Sequence, residues 1–498
     1  MRDVRRRATW SGQLAFVLAA AASAIGLGNL WRFPYLAAQY GGGTFMLVYL
    51  LLAVTLGFTL MVTEIAIGRR TRQSPLTAYS RLSRRWGFIG VLGTLVPILI
   101  TPYYCVIGGW VLKYLVAYAQ MAFTGAEPMG EAAVRSHEFF QAFTSAPFAP
   151  FGYGMLFTLA CAGVIVLGVK NGIEKSNLVM MPILFVMALA LSLYVVFLPG
   201  TGDGLVYYFV PNMDCLRDAH GHFSVALLGK TILGAMGQMF YSLSLAMGIM
   251  ITYGSYMRRE DSIERSVRRI EIFDTLVAVV AGLMIVPVVY MFAVKTGVTP
   301  ELVARHGGDV AAATKAAVKS AMNAGPGLMF ETLPMVFASL GAAGAWVGLM
   351  FFLLVTFAAA TSAISLFEAC VASVCDLLRM ERRAATFFTG ALIMFIATFS
   401  ALGYGPWRDV RPMGMQFLDF FDFITNSVLM PIVAAATCVC VGWVLGPQMV
   451  IAEVQASGSP FRARVLYFVM VKWFAPALVI AILVSEICRN LGVGGWSI

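Results

Sequence analysis

Two glycines, an asparagine and an arginine interrupt the first long apolar run of the chain, which begins near Gly12. They are Gly26, Gly28, Asn29 and Arg32. Glycine costs about 1 kcal/mol relative to alanine inside a helix, so the pair favours a break. In a bilayer the freed carbonyls must find partners, and broken membrane helices are where ions and substrates bind. A kink for close helix packing is the alternative, but the polar side chains favour a binding site.

A second apolar run, residues 224–256, carries Ser242, Ser244 and Gly248 near its middle. Serine often hydrogen-bonds to its own helix, which is the simpler explanation for each serine alone. Counted along the chain, the two interrupted runs would be the first and the sixth membrane spans. If the first ten spans form two halves of five helices each, these runs are the first helix of each half. An inverted repeat produces that correspondence, so we predict two discontinuous helices around one site.

Polar groups also lie in two other apolar runs. Thr361 and Ser362 follow three alanines in the eighth run. Their hydroxyls could join neighbouring helices or bind a small cation as oxygen ligands. Asp274 lies near the start of the seventh run. An acid at membrane depth is a functional hypothesis by default, and an interfacial charge at the start of a helix is the alternative.

Composition indicates what kind of protein positions these groups. Of 498 residues, 60% are hydrophobic and 12% are charged, whereas soluble domains carry about 25% charged residues. The chain is therefore predicted to be an all-α polytopic membrane protein in contact with a lipid bilayer. Its net charge of +10 does not indicate a nucleic-acid partner, because the arginines cluster between apolar runs in the positive-inside pattern. The cysteines show neither zinc spacing nor a disulfide framework, and we expect buried thiols at Cys105, Cys161, Cys370, Cys438 and Cys440.

A spanning helix needs about 20 apolar residues, and the sequence predicts eleven transmembrane helices. The spans are residues 12–37, 44–68, 88–122, 154–170, 178–199, 224–256, 268–295, 340–376, 385–402, 420–446 and 463–488. Arginines 5–7 precede the first span, and basic residues recur in every second loop. This pattern predicts a multi-pass protein of a bacterial inner membrane, with the N-terminus cytoplasmic and the C-terminus outside.

The predicted domain organisation follows these spans. Residues 1–199 would form the first inverted repeat, residues 200–446 the second, and residues 447–498 an additional eleventh helix. The extracellular loop at 300–334 contains a helical pattern at 311–322. It is interpreted either as a cap over the outer mouth or as a loop without a functional role.

The most specific segment is Gly-Leu-Gly-Asn-Leu-Trp-Arg-Phe-Pro at 26–34, followed by three glycines at 41–43. Supporting segments are residues 64–69, 103–104, 242–245 and 251–256. With these segments, the chain resembles the neurotransmitter:sodium symporter family, and especially its bacterial amino-acid transporters. The resemblance extends from Trp10 to the tenth span.

The resemblance implies two sodium sites beside one substrate, both built from oxygen ligands. The first sodium would be bound by the Ala24 carbonyl, the side chains of Asn29, Ser242 and Asp274, and the substrate carboxylate. The second would be bound by the carbonyls of Ala22, Ile25 and Ala358 and the hydroxyls of Thr361 and Ser362.

The resemblance also implies a substrate site. The backbone of Ala24, Gly26, Leu27 and Gly28, with the Tyr104 hydroxyl and the positive end of a half-helix, would face the carboxylate. Carbonyls near Tyr241 and Ser242 and the Ser244 side chain would receive the ammonium. The side-chain pocket would be Ile100, Tyr104, Tyr241, Met247, Ser362 and Leu366. This pocket has no charged residue, so burying a charged side chain there would be costly, and a neutral hydrophobic or aromatic L-amino acid is favoured. Monoamine transporters carry Asp at the position of Gly26, which favours an amino acid over a monoamine.

Three positions modify these expectations. Ala246 replaces a family glycine in the second break, which could limit unwinding. Met247 could adapt the pocket to varied shapes, although ordinary core filling is the alternative. Asp274 stands where chloride-dependent members have Asn, so its carboxylate could replace the chloride, and we expect no chloride requirement.

Two gates are implied in the same way. Outside, Arg32 would pair with Asp422 above a lid formed by Tyr104 and Tyr241. Inside, Arg7 would pair with Asp376, with Trp10 and Tyr256 nearby. Fixed structural ion pairs are the alternative in each case. Of the other membrane acids, Glu64 is expected to hold backbone amides of the first broken helix, and Glu368 to lie close to the sites.

The predicted function is sodium-coupled symport of a neutral amino acid by alternating access, in which spans 1, 2, 6 and 7 rock against a scaffold. A transport-inactive amino-acid sensor of the same fold and an ion channel are the alternatives. A channel requires a continuous lined pore, and two isolated breaks suit one occluded site better. The sequence contains no HExxH or GxSxG motif, so an enzyme is not predicted.

Overall fold

A computed structural model describes residues 7–125, 136–217, 221–322 and 326–491. Arginines 5 and 6, used above to orient the first span, lie outside these residues, as do residues 126–135, 218–220 and 323–325 and the last seven residues. The main helices are α1 (Gln13–Ala24), α2 (Gly28–Gln39), α3 (Gly43–Thr71), α4 (Pro75–Leu82), α5 (Arg84–Thr124), α6 (Ser136–Ser145), α7 (Ala149–Val166), α8 (Val169–Val196), α9 (Gly202–Phe209), α10 (Val225–Ser242), α11 (Ile249–Tyr256), α12 (Ile263–Gly297), α13 (Pro300–Arg305), α14 (Val310–Ala321), α15 (Leu328–Ala338), α16 (Gly341–Leu378), α17 (Arg382–Leu402), α18 (Phe417–Val444), α19 (Gln448–Gln455) and α20 (Arg464–Ser485).

Ten of the eleven predicted spans are long and apolar enough to cross a membrane, within the described residues, if the bent pair α1–α2 is counted as one span. The remaining predicted span, 224–256, consists of α10 and α11 separated by a non-helical segment. The fourth and fifth spans begin earlier than predicted, at Ala149 and Val169.

Both predicted breaks are present. The axis bends by 53° between α1 and α2, on either side of Gly26. Between α10 and α11, Ser244 and Ala246 both adopt positive φ, 52° and 58°. Left-handed backbone costs a non-glycine residue roughly 1–2 kcal/mol. Ala246 therefore does not prevent the break, although the position favours glycine.

Direct backbone contact holds the second half-helix, α11, against α3. A Cβ placed on Gly68 would lie 2.0 Å from the Ile251 carbonyl oxygen, and one placed on Gly254 would lie 2.5 Å from the Ile65 carbonyl oxygen. No side chain fits at either position without moving the backbone. The two glycines thus set the distance between the broken helix and its neighbour.

The outer loop after α12 packs into the helix bundle. The observed helix α14 agrees with the predicted helical pattern at 311–322. In α15, Phe330 is fully buried and stacks edge-on against Trp110 of α5, and its carbonyl accepts a 2.8 Å hydrogen bond from the Tyr114 hydroxyl. This packing favours the cap interpretation of the loop.

The cysteine prediction is confirmed. Cys105, Cys161, Cys370, Cys438 and Cys440 are all buried free thiols.

Candidate substrate and cation site

A narrow cavity lies where the two broken helices meet α5 and α16, with an empty volume of about 320 Å³ that includes the space at its mouth. It is lined by Ser23, Ala24, Gly26, Gly28, Asn29, Ile100, Tyr104, Tyr241, Ser244, Met247, Ile249, Ser362 and Leu366. All predicted substrate residues except Leu27 and Ser242 line its wall. Ser23 and Ile249 were not predicted, although each lies within two residues of a predicted position and could have been included on that ground.

The cavity exists because two positions carry no side chain. A Cβ on Gly26 would lie 2.5 Å from the Ser362 Oγ and 3.0 Å from the Tyr104 hydroxyl. A Cβ on Gly28 would lie 2.3 Å from the ring of Tyr241. An aspartate at position 26 would therefore collide with the opposite wall.

Backbone groups of the first break and three hydroxyls supply the polarity of the cavity. The amide of Leu27 donates to the Tyr104 hydroxyl at 3.2 Å, so Leu27 contributes its backbone and not its side chain. The hydroxyls of Ser244 and Ser362 both donate to the Ser23 carbonyl, at 3.2 and 3.0 Å. These bonds join both broken helices to α16 at one point.

Asp274 lies at the centre of a buried polar cluster beside the cavity. Its carboxylate accepts hydrogen bonds from the Asn29 amide and the Ser242 hydroxyl, both at 2.8 Å, and from the Tyr49 hydroxyl at 3.1 Å. All four side chains are essentially inaccessible. The structure thus brings together the three side chains predicted for the first sodium. Ser242 belongs to this cluster and not to the cavity wall.

Tyr49 was not identified from the sequence. It is one aromatic residue in an apolar helix, 225 residues from Asp274, and nothing near it in the sequence distinguishes it from a core tyrosine.

The second predicted cation set consists of carbonyls and hydroxyls, some of which are already hydrogen-bonded within the protein. Within the described part of the chain, the carbonyls of Ala22 and Ile25 receive no backbone hydrogen bond, and neither does the Ala24 carbonyl of the first set. The Thr361 hydroxyl donates to the Ala358 carbonyl of its own helix at 3.1 Å, which leaves its lone pairs available. The described residues contain no group of three or more His, Cys, Asp or Glu that could hold a metal. Oxygen ligands of this kind suit a hard cation better than a transition metal.

At the outer end, Arg32 lies over the ring of Tyr241, with the guanidinium carbon 5.7 Å from the ring centroid. The Asp422 carboxylate interacts electrostatically with Arg32 and accepts a 3.1 Å hydrogen bond from the Tyr103 hydroxyl. The predicted outer residues are therefore close together above the cavity. Tyr103 was missed because its neighbour Tyr104, on a different face of α5, was taken as the functional tyrosine of the pair.

At the inner end, Arg7 and Asp376 form an ion pair at 2.8 Å. Arg7 also donates to the Ser255 hydroxyl at 2.8 Å and lies 5.2 Å from the ring centroid of Tyr256. The Asp376 carboxylate in addition accepts from the Ser74 amide. This network joins the start of the chain to α11 and α16.

Trp10 lies just above the inner ion pair and is almost completely buried. Its indole N–H donates to the Tyr253 carbonyl at 3.0 Å, and its backbone amide donates to the Tyr256 carbonyl at 3.1 Å. The indole packs edge-on against both tyrosine rings. Trp10 thus joins the start of the chain to the inner half-helix α11.

Two buried acids were also expected near the site. Glu64 accepts a 2.7 Å hydrogen bond from the Ala246 amide, so the prediction that it holds the first broken helix was wrong: it holds the second, because α3 packs directly on α11. Glu368 accepts from the Tyr256 hydroxyl at 2.7 Å and from Arg382 at 2.9 Å. It does not line the cavity, and its expected closeness to the sites stays a prediction.

Comparison with known proteins gives consistent results. The family model described as "Sodium:neurotransmitter symporter family" matches residues 7–133 and 153–493. A Bacillus subtilis protein named "Uncharacterized sodium-dependent transporter YhdH" is 31% identical over 481 residues, which cover 96% of this chain and 97% of the relative. A Haemophilus influenzae protein named "Uncharacterized sodium-dependent transporter" is 28% identical over 97% of this chain and 99% of its own length. The sodium- and chloride-dependent GABA transporter 2 of Mus musculus is 26% identical over 88% of this chain and 73% of its own length.

Among solved structures, the chain is similar to MhsT in complex with L-phenylalanine. The TM-score is 0.80 at 31% identity, covering 97% of this chain and all of that one. This likeness confirms the expected all-helical architecture of two inverted repeats with discontinuous first and sixth spans.

Proposed function

Because the chain belongs to the sodium:neurotransmitter symporter family, we propose that it imports a neutral hydrophobic or aromatic L-amino acid by sodium symport and alternating access. It is a sodium-coupled membrane transporter and not an enzyme. The observation that carries the substrate proposal is the cavity between the two breaks. Its wall combines polar backbone and hydroxyl groups with apolar side chains and includes no Lys, Arg, Asp or Glu.

The shape of this wall favours a zwitterion with a neutral side chain. The positive end of α2 and the Tyr104 hydroxyl suit a carboxylate, and Ser244 suits an ammonium. Ile100, Met247, Ile249 and Leu366 line the remaining wall, where a charged side chain would be buried without a partner at a cost of several kcal/mol. The collision at Gly26 disfavours the aspartate that a bare amine would need. The L-phenylalanine bound to MhsT supports an amino acid.

Two sodium ions are proposed beside this substrate. The first would take the Ala24 carbonyl, Asn29, Ser242 and Asp274. The second would take the carbonyls of Ala22, Ile25 and Ala358 with Thr361 and Ser362. One sodium crossing 100 mV supplies about 2.3 kcal/mol, in addition to its concentration gradient. We propose that the Asp274 carboxylate removes the need for chloride, unlike the mammalian relatives whose names include it.

Alternating access would use the two gates in turn. The inner network around Arg7 is assembled in this structure, so release to the inside requires the Arg7–Asp376 pair to separate. The arginine-rich loops lie at this end, which we propose faces the cytoplasm of a bacterial cell.

The direct test is uptake into proteoliposomes of a labelled neutral amino acid, with and without an inward sodium gradient, followed by competition with the twenty amino acids. We expect sodium-driven accumulation that hydrophobic or aromatic amino acids inhibit. Sodium-dependent binding without accumulation would indicate a sensor. Inhibition mainly by lysine or glutamate would contradict the proposed pocket.

Replacing Tyr104 by Phe is expected to weaken substrate binding. The variant loses a hydroxyl that would bond to a charged carboxylate, worth about 1.5–3 kcal/mol, or about 10- to 150-fold in Kd. Scintillation-proximity binding measures the change. Tyr194→Phe is the matched control, because Tyr194 is exposed on α8 away from the cavity. Equal substrate affinities of Tyr104→Phe and the wild type would show that the Tyr104 hydroxyl does not bond to the substrate.

Replacing Thr361 by Ala is expected to raise the sodium concentration for half-maximal substrate binding by about tenfold, because one oxygen ligand to a cation is lost. Asn29→Ala should act in the same direction through the first site. Thr356→Ala is the control on the same helix, since that hydroxyl only donates to the Phe352 carbonyl. An unchanged sodium dependence in both site variants would contradict the assigned ligands.

A further inference from the structure

Lys472 lies among three aromatic rings on the outside of the helix bundle. Its ammonium nitrogen is 5.3 Å from the ring centroid of Trp443, 5.6 Å from that of Phe468 and 5.5 Å from that of Trp473. Within the described residues no carboxylate lies within ion-pair distance of this ammonium. The lysine is therefore a cation without an acidic partner inside a membrane-spanning helix, α20.

The depth of the lysine follows from its contacts. The Trp443 indole N–H donates to the Lys472 carbonyl at 3.0 Å, so Lys472 is level with the penultimate residue of α18. Arg464, the first residue of α20, is eight residues away, or about 12 Å along the helix towards the arginine-rich face. These contacts favour a position for Lys472 near the boundary between hydrocarbon and headgroups, where a lysine extends its ammonium to the interface.

The aromatic rings beside the lysine face outwards. Trp443 and Trp473 are 53% and 54% exposed and contact each other edge-on at 4.8 Å. Tryptophan concentrates at the membrane interface, where its ring contacts acyl chains and its polar edge meets headgroups. Arg464, Phe468 and Lys472 follow each other at four-residue spacing, so a second cation lies on the same side of α20.

We propose that the cluster of Lys472, Trp443, Trp473 and Arg464 binds the phosphate of an anionic phospholipid in the leaflet at the arginine-rich face. The ammonium and the guanidinium supply the charge that an anionic headgroup requires, and the two indoles pack against its glycerol and upper acyl carbons. Basic groups between membrane helices on this side are known to bind anionic headgroups. None of these four residues lines the cavity, so this site does not depend on the proposed transport function.

Native mass spectrometry of the purified full chain, titrated with phosphatidylglycerol or with phosphatidylcholine, tests the proposal. The wild type should bind the first phosphatidylglycerol several-fold more tightly than the first phosphatidylcholine. Lys472→Gln should lose about fivefold in affinity for phosphatidylglycerol and little for phosphatidylcholine. Lys472→Arg, which keeps the charge, should retain the preference.

Lys170→Gln is the matched control, because Lys170 is an exposed lysine at the same face, on α8. It should leave the affinity for phosphatidylglycerol unchanged. If the wild type bound phosphatidylglycerol and phosphatidylcholine with equal affinity, that result alone would overturn the proposal. An unchanged affinity in Lys472→Gln, or an equal loss in Lys170→Gln, would also overturn it, because either result would indicate general attraction to a charged surface.

Discussion

Replacing Asp274 by Asn is expected to make amino-acid uptake dependent on chloride. The Asp274 carboxylate is fully buried and accepts hydrogen bonds from Asn29, Ser242 and Tyr49. With sodium and a zwitterion in the proposed adjacent site, this carboxylate would supply the negative charge that balances the cation. Removing one partner of a buried charge pair costs about 3–5 kcal/mol, so uptake without chloride should fall by about 150-fold to several thousandfold.

The measurement compares uptake in proteoliposomes with chloride or gluconate as the only external anion. Wild-type uptake should be the same in both anions, whereas the variant should be active in chloride alone. Asp203→Asn, which removes an equal charge from an exposed position in α9, should behave as the wild type. Equal uptake of Asp274→Asn in the two anions, whether high or absent, would contradict the proposed replacement of chloride.

Replacing Gly26 by Ala should abolish high-affinity substrate binding. The new methyl group would lie 2.5 Å from the Ser362 Oγ and 3.0 Å from the Tyr104 hydroxyl, so both side chains must move. Overpacking alone costs about 1–3 kcal/mol, and the displaced hydroxyl loses a bond to a charged group worth about 1.5–3 kcal/mol. Together these losses should raise the substrate Kd by at least about a hundredfold.

Gly163→Ala is the control for this substitution. Gly163 lies in α7, and a Cβ there meets no atom within 4 Å, so substrate affinity should not change. Equilibrium binding of a labelled amino acid at saturating sodium measures both variants. A Gly26→Ala protein with wild-type affinity would show that the substrate binds away from the first break.

Much of the site could be predicted because each broken helix contains its own signal. Gly26 and Gly28 lack helix propensity and carry no side chain, and the serines of the second break are polar at membrane depth. These properties belong to a few adjacent residues and can be read without knowing the fold. The residues assigned to the two sodium sites, the substrate site and the gates were identified instead from family resemblance. Their roles stay predictions.

The partners of these residues could not be predicted in the same way. Glu64 bonds to the Ala246 amide across 182 residues of sequence, and a buried carboxylate does not indicate which distant amide it faces. Tyr49 and Tyr103 likewise became part of the site only through contacts with Asp274 and Asp422. Glu368 lies two residues from Leu366, yet it faces the inner network because successive helical residues point in different directions.

Hydropathy and backbone preference are local properties of the chain, so the membrane spans and the positions of the two breaks could be read from the residues alone. Which side chains meet at those breaks depended on how the helices pack in the folded protein. Helix packing sets distances between residues hundreds of positions apart, and a hydrogen bond forms or fails within a fraction of an ångström.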